Sequence, residues 1–85
     1  GEKASSFLVA VQVEGKDTSG LLARITTTIS NMNLTMTSLV ARMDKNNNVI
    51  VNFSIRVNKI EEFEQLQKKL SQIPSVDKVF RSNGQ

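Results

Sequence analysis

The sequence predicts an α+β fold: a ferredoxin-like βαββαβ two-layer sandwich, in which an antiparallel four-stranded sheet carries two helices on one face. Three observations predict it. Residues 7–14 and 49–57 place apolar side chains at every second position, the signature of strands with one buried face. Residues 21–32 and 60–73 place them at spacings of three and four, the signature of amphipathic helices. With a strand-like stretch at 34–43 and a short one at 75–81, the order becomes β-α-β-β-α-β. Two right-handed crossovers then put both helices on the same side of one sheet.

Each element has its own justification. Phe7, Val9, Val11 and Val13 alternate and define the first strand. A short loop over 15–20 leads into a helix whose stripe is Leu21, Leu22, Ile25, Ile29 and Met32. Thr26, Thr27 and Thr28 are β-branched and lower its intrinsic propensity, so this helix must lean on tertiary contacts. Asn31 and Asn33 bracket its end, because asparagine tolerates the left-handed cap conformation. The second strand has two possible facings: Leu34, Met36 and Val40 on one side, or Thr35, Thr37, Leu39, Ala41 and Met43 on the other. The polar run from Asp44 through Asn48 is a hairpin turn into a central third strand, Val49, Val51, Phe53, Ile55 and Val57. Asn58 with Glu61 three residues on predicts a capped second helix, whose stripe is Ile60, Phe63, Leu66, Leu70 and Ile73. Pro74 ends it, and Val76, Val79 and Phe80 belong to a last short strand.

Composition limits the chemistry. At 85 residues the chain has room for one small domain, read as a lead-in at 1–6, a domain at 7–82 and a tail at 83–85. It contains no cysteine and no histidine, which excludes disulfides, thiol or imidazole catalysis and the usual zinc and iron–sulfur ligands. No cofactor and no metal site is expected. No apolar run is long enough to span a bilayer, and residues 1–6 lack the apolar centre of a signal peptide, so a cytoplasmic location is expected. The net charge of +3 raises nucleic acid as a partner, but the eleven basic residues are scattered and only Lys68 and Lys69 adjoin. Those two lie late in a helix that opens with Glu61, Glu62 and Glu64, the arrangement the helix dipole favours.

The motif tests narrow function further. The first loop lacks the cysteine pair of metal-transport domains, and Phe53 alternates toward the helices rather than the open face where RNA-recognition domains stack bases. Asp17, Asp44, Glu61, Glu62, Glu64 and Asp77 form no paired-carboxylate spacing that surrounds a cleft, so no residue is assigned a catalytic role. Gly15 and Gly20 have the spacing of a phosphate loop, but Leu21 and Leu22 stand where Lys and Ser or Thr belong. What remains is a strand-to-helix loop whose backbone N–H groups suit a carboxylate or phosphate. It is equally readable as a tight turn with Thr18 as helix cap. The sheet face away from the helices is expected to carry Leu8, Ala10, Leu39, Ala41, Met43 and Ile50 beside Gln12, Asn52 and Arg56, either as ordinary surface or as a docking face.

The run from Val13 to Thr26, followed by Ile29-Ser30, Asn33-Leu34 and Arg42, resembles the ACT domain at the C-terminal end of RelA/SpoT-family GTP pyrophosphokinases. The family pattern is similar to D-R-x-G-L-L-x-D-I-T…I-S…N-I…R, and the close over 73–81 resembles its I-x-x-V-x-x-V-x-R ending. Thr18 stands in place of the usual Arg, and Arg24 in place of a frequent Asp. The resemblance implies a regulatory fragment, not an enzyme in itself, of a parent controlling alarmone ((p)ppGpp) metabolism in the stringent response. It implies a homodimer or an intramolecular domain contact, and an amino-acid ligand held by Asp17, Thr18, Ser19, Gly20, Leu21 and Leu22. Asp17 would accept from the α-amino group while the helix N-terminus holds the α-carboxylate. The alternative is a protein or ribosome/tRNA docking module without a small ligand, working through Leu39, Ala41, Ile50, Asn52 and Arg56. No membrane contact is expected in either case.

Overall fold

Strands that bury every second side chain take the middle of a sheet, and the two valine-rich segments do so here. The computed structural model describes residues 6–16 and 18–82. Their order is β1 (Phe7–Gly15), α1 (Thr18–Asn31), β2 (Thr35–Met43), β3 (Val49–Val57), α2 (Ile60–Ser71) and β4 (Val76–Arg81). The sheet order is β2-β3-β1-β4, with every neighbouring pair antiparallel, so the expected ferredoxin-like βαββαβ sandwich is the fold. Of the expected lead-in only Ser6 is described, and the tail at 83–85 lies outside the described residues.

The core lies between the sheet and the helices. Val9, Val11 and Val13 from β1 meet Val51, Phe53 and Ile55 from β3, and Leu21, Ile25, Phe63, Leu66 and Leu70 close over them from the helices. No polar or charged residue is buried among the described residues, so the core is held by apolar burial alone.

The helix ends follow from their residues. Asn33 adopts φ 60°, its N–H donates to Ser30 O at 3.0 Å, and Leu34 N–H reaches back to Ile29 O at 3.2 Å. That pair of bonds is a Schellman closure, built on the asparagine the sequence marked. Two of the threonines of α1 satisfy their hydroxyls inside the helix: Thr26 Oγ1 donates to Leu22 O at 3.0 Å and Thr28 Oγ1 to Arg24 O at 2.7 Å. The start of α2 differs from expectation. Its N-cap is Lys59, not Asn58, and no side chain caps it. Glu62, rather than Glu61, reaches back, accepting from the Asn58 N–H at 2.7 Å. The helix thus begins at Ile60, one residue later than a cap at Asn58 would start it, and the Glu62 carboxylate holds the N–H of the residue before the cap.

The facing of β2 is also settled. Met36 pairs with Ile55 and Ser38 with Ser54, so Thr37 is an extra residue, a β-bulge. After it, Leu39 lies opposite Phe53, Ala41 opposite Val51 and Met43 opposite Val49, all on the helix side. The bulge therefore removes Leu39, Ala41 and Met43 from the open face where they were expected, and puts Ser38, Val40 and Arg42 there.

The β2–β3 turn is organised by one carboxylate. Asp44 Oδ1 accepts from the backbone N–H of Asn46 at 2.8 Å and of Asn48 at 2.9 Å, while Asn47 takes φ 66°. The Asn48 N–H bond, more than any other contact, holds the Asp44 carboxyl below its ordinary range against a smaller opposing effect of burial. A lowered carboxylate value stabilises the fold at neutral pH, and the contribution is lost as pH falls through that value. The melting midpoint of Asp44→Asn is thus expected to lie below that of the parent at pH 7, and the gap to close as both are acidified below the ordinary aspartate range. A gap that is constant with pH would contradict this.

Candidate functional site

The two surfaces that the sequence marks as candidates are the β1-to-α1 crossing and the open sheet face. At the crossing, Gly15 is buried where β1 meets the turn before β4. Lys16 then fastens the chain, its N–H donating to Ser75 O at 2.9 Å and its Nζ to Asn48 Oδ1 at 2.6 Å. Its ion pair with Asp77, 3.4 Å long and exposed at both ends, adds little. The crossing is thereby tied to the β2–β3 turn on one side and to β4 on the other.

Of the six residues expected to hold a ligand, Asp17 lies outside the described residues. Thr18 and Ser19 open α1, so Thr18 is the first helical residue and not the residue before it. Gly20 is half-buried beside a hollow of about 420 Å³ that it shares with Ala23, Arg24, Thr27, Thr28 and Ile73. Leu21 is fully buried in the core, and Leu22 is half-buried against it. The two leucines anchor the first turn to the core. The first turn of α1 carries no acidic residue, whereas that of α2 holds Glu61 and Glu62. The positive end of the α1 dipole is thus not offset by a carboxylate of its own first turn.

The open face is read from the strand register. Successive rows across the strands are Arg56 and Leu8; then Ser38, Ser54 and Ala10; then Val40, Asn52, Gln12 and Phe80; then Arg42, Ile50, Glu14 and Lys78. Ile50, Asn52 and Arg56 stand where the sequence placed them, and the second strand contributes Val40 and Arg42 in place of Leu39 and Ala41. Phe80 on this face was not assigned to it by the sequence. Its signal was available, since Val79 pairs with buried Val13 and the next side chain must point the other way. A hollow of about 580 Å³ lies over the middle of the face.

Among the described residues no group of three or more His, Cys, Asp or Glu is placed to hold a metal ion, and no helix is long and apolar enough to cross a membrane.

Comparison with known proteins agrees with the fold. No curated protein sequence matches the chain. The crystal structure of the ACT domain from the GTP pyrophosphokinase of Chlorobium tepidum superimposes with a TM-score of 0.79 at 26% identity, covering 92% of this chain and 100% of that one. The C-terminal domain of the MgtC protein from Mycobacterium tuberculosis gives 0.74 at 16% identity, over 99% and 95%. A homoserine dehydrogenase from Thiobacillus denitrificans gives 0.73 at 18% identity, over 92% of this chain and 17% of that one. The last two share the fold alone. The family model of the ACT domain matches residues 3–81, which takes in all six elements and the strand-to-helix crossing, and the chain belongs to the ACT domain family of regulatory, non-catalytic domains.

Proposed function

We propose that this domain is an amino-acid sensor of a GTP pyrophosphokinase of the RelA/SpoT type, coupling ligand binding and self-association to alarmone metabolism. The observation that carries the reading is the N-terminal turn of α1. Its side chains Leu21 and Leu22 are spent on the core, its first turn has no carboxylate, and Lys16 fixes the approach to it. A backbone held in this way offers N–H groups to an α-carboxylate, and Asp17 is the group in sequence to accept from an α-amino group. Similarity to the ACT domain from the GTP pyrophosphokinase of Chlorobium tepidum supports the assignment of the parent enzyme. Binding that differs between two states by 1 to 3 kcal/mol suffices for roughly a 5- to 150-fold regulatory effect.

A thermal-shift screen against the twenty amino acids and guanine nucleotides tests it. A ligand at about 100 times its Kd adds roughly 2.7 kcal/mol, which raises the midpoint of a domain this small by about 10 to 20 °C. The expected result is one amino acid that does so, with the response lost in Asp17→Ala while the unliganded stability stays within about 1 kcal/mol of the parent. Absence of any response at millimolar concentration overturns the sensor reading.

A further inference from the structure

The open sheet face has a chemistry that the sensor reading does not use. Leu8, Val40 and Phe80 project from it with 51%, 61% and 37% of their surfaces exposed, on three different strands. Between them the floor is small and polar, made of Ala10, Ser38, Ser54, Gln12 and Asn52. Around the rim stand Arg42, Lys78 and Arg56, against a single carboxylate, Glu14. Glu14 lies opposite Lys78 in the register, but its Oε2 accepts instead from Gln12 Nε2 at 2.8 Å. Among the described residues Arg42 and Lys78 make no ion pair or side-chain hydrogen bond, and Arg56 has only the Ser6 hydroxyl there, at 3.3 Å.

From these we infer that the open face is a docking surface for an acidic amphipathic helix of a partner polypeptide. Such a helix lays apolar side chains on Leu8, Val40 and Phe80 and its flanking carboxylates against Arg42, Arg56 and Lys78, forming a third layer on the sheet. The low floor of Ala10, Ser38 and Ser54 lets its backbone approach. Charge disfavours a second copy of this face, because three cations against one carboxylate repel their like across a two-fold axis. Single-stranded nucleic acid is disfavoured by the side chains. It needs successive aromatic platforms, and this face offers one ring, Phe80, near the edge of the sheet, with aliphatic groups elsewhere.

The test is an amide-shift NMR titration of the chain with three probes: a synthetic Leu/Glu amphipathic helix, the same peptide with Lys for Glu, and oligouridylate. The expected result is saturable shifts on Ala10, Gln12, Val40 and Asn52 with the acidic peptide only. Affinity should fall at least tenfold in Arg42→Glu and again in Val40→Asp, and should weaken as salt rises. Both positions are exposed, and circular dichroism of each variant verifies the fold. Shifts confined to α1 and α2, equal binding of the Lys peptide, tighter binding of oligouridylate, self-association through this face, or no saturation at millimolar peptide each overturn the inference. A response to amino acids at the α1 crossing is read separately and is unaffected by any of these outcomes.

Discussion

Gly15→Ala is expected to destabilise the domain by about 3 kcal/mol and lower its melting midpoint by roughly 15 °C, although it adds a single methyl group. A Cβ on Gly15 would run into the carbonyl oxygen of Ser75 and stand 3.1 Å from both its carbonyl carbon and the Val76 Cα. All three are backbone atoms, so no side chain can swing away to make room. Moving that backbone strains the Lys16 N–H bond to Ser75 O and the β1–β4 pairing, which already shifts register between Glu14 and Gly15. Thermal denaturation checks it, with Gly15→Ala set beside Ala23→Gly, where an exposed helical position costs only about 1 kcal/mol. A Gly15→Ala midpoint within a few degrees of the parent would mean that the two segments do not approach as described.

Phe53→Ala is expected to cost about 3 to 5 kcal/mol, the range for emptying an aromatic site in a core. Phe53 is 2% exposed on an inner strand, faces Leu39 and Val11 across the two ladders, and lies in the same cluster as the helix leucines. A domain of this length has a total stability of roughly 4 to 12 kcal/mol, so the variant is expected to sit at the edge of unfolding at 37 °C. Urea denaturation at 25 °C measures the loss directly. Phe53→Leu is expected to recover most of it, because it restores volume. Leu8→Ala, on the opposite face of the sheet, is expected to stay within about 1 kcal/mol.

The elements legible in the sequence are those in which one side chain in two, or one in three and four, is fully buried. β1, β3 and α2 meet that condition, and their stripes were readable residue by residue. β2 does not. It is an edge strand with few inward side chains, and the extra residue at Thr37 breaks its period of two, so counting parity from either end gives a different face. The displaced cap of α2 is a second case: Asn58 has the preferred chemistry, but the helix begins after Lys59, and the Asn58 N–H is bonded by Glu62 instead of the expected Glu61. At the crossing, Leu21 and Leu22 carry the family pattern, yet Leu21 is buried in the core and Leu22 packs half-buried against it, while Gly20 lines the hollow. A motif records which residues recur at a place, and here burial separates those that build the turn from those beside the hollow. Phe80 and Val40 were hidden for the reverse reason, since an apolar residue in a strand is assigned inward until its neighbours' register is known.

The strand order has a consequence for the birth of the molecule. β1 is made first yet belongs between β3 and β4, and its partner Arg81 lies 70 positions after Val11. Only the β2–β3 hairpin closes locally, so most of the sheet waits on long-range encounters, the condition that makes folding slow. A nascent chain on the ribosome must therefore carry a valine-rich strand with both edges unpaired until β3 has emerged, and with one edge unpaired until β4 follows. During that interval exposure to aggregation is greatest. Synthesis rate and chaperone access would then govern the yield of this domain as much as its final stability does.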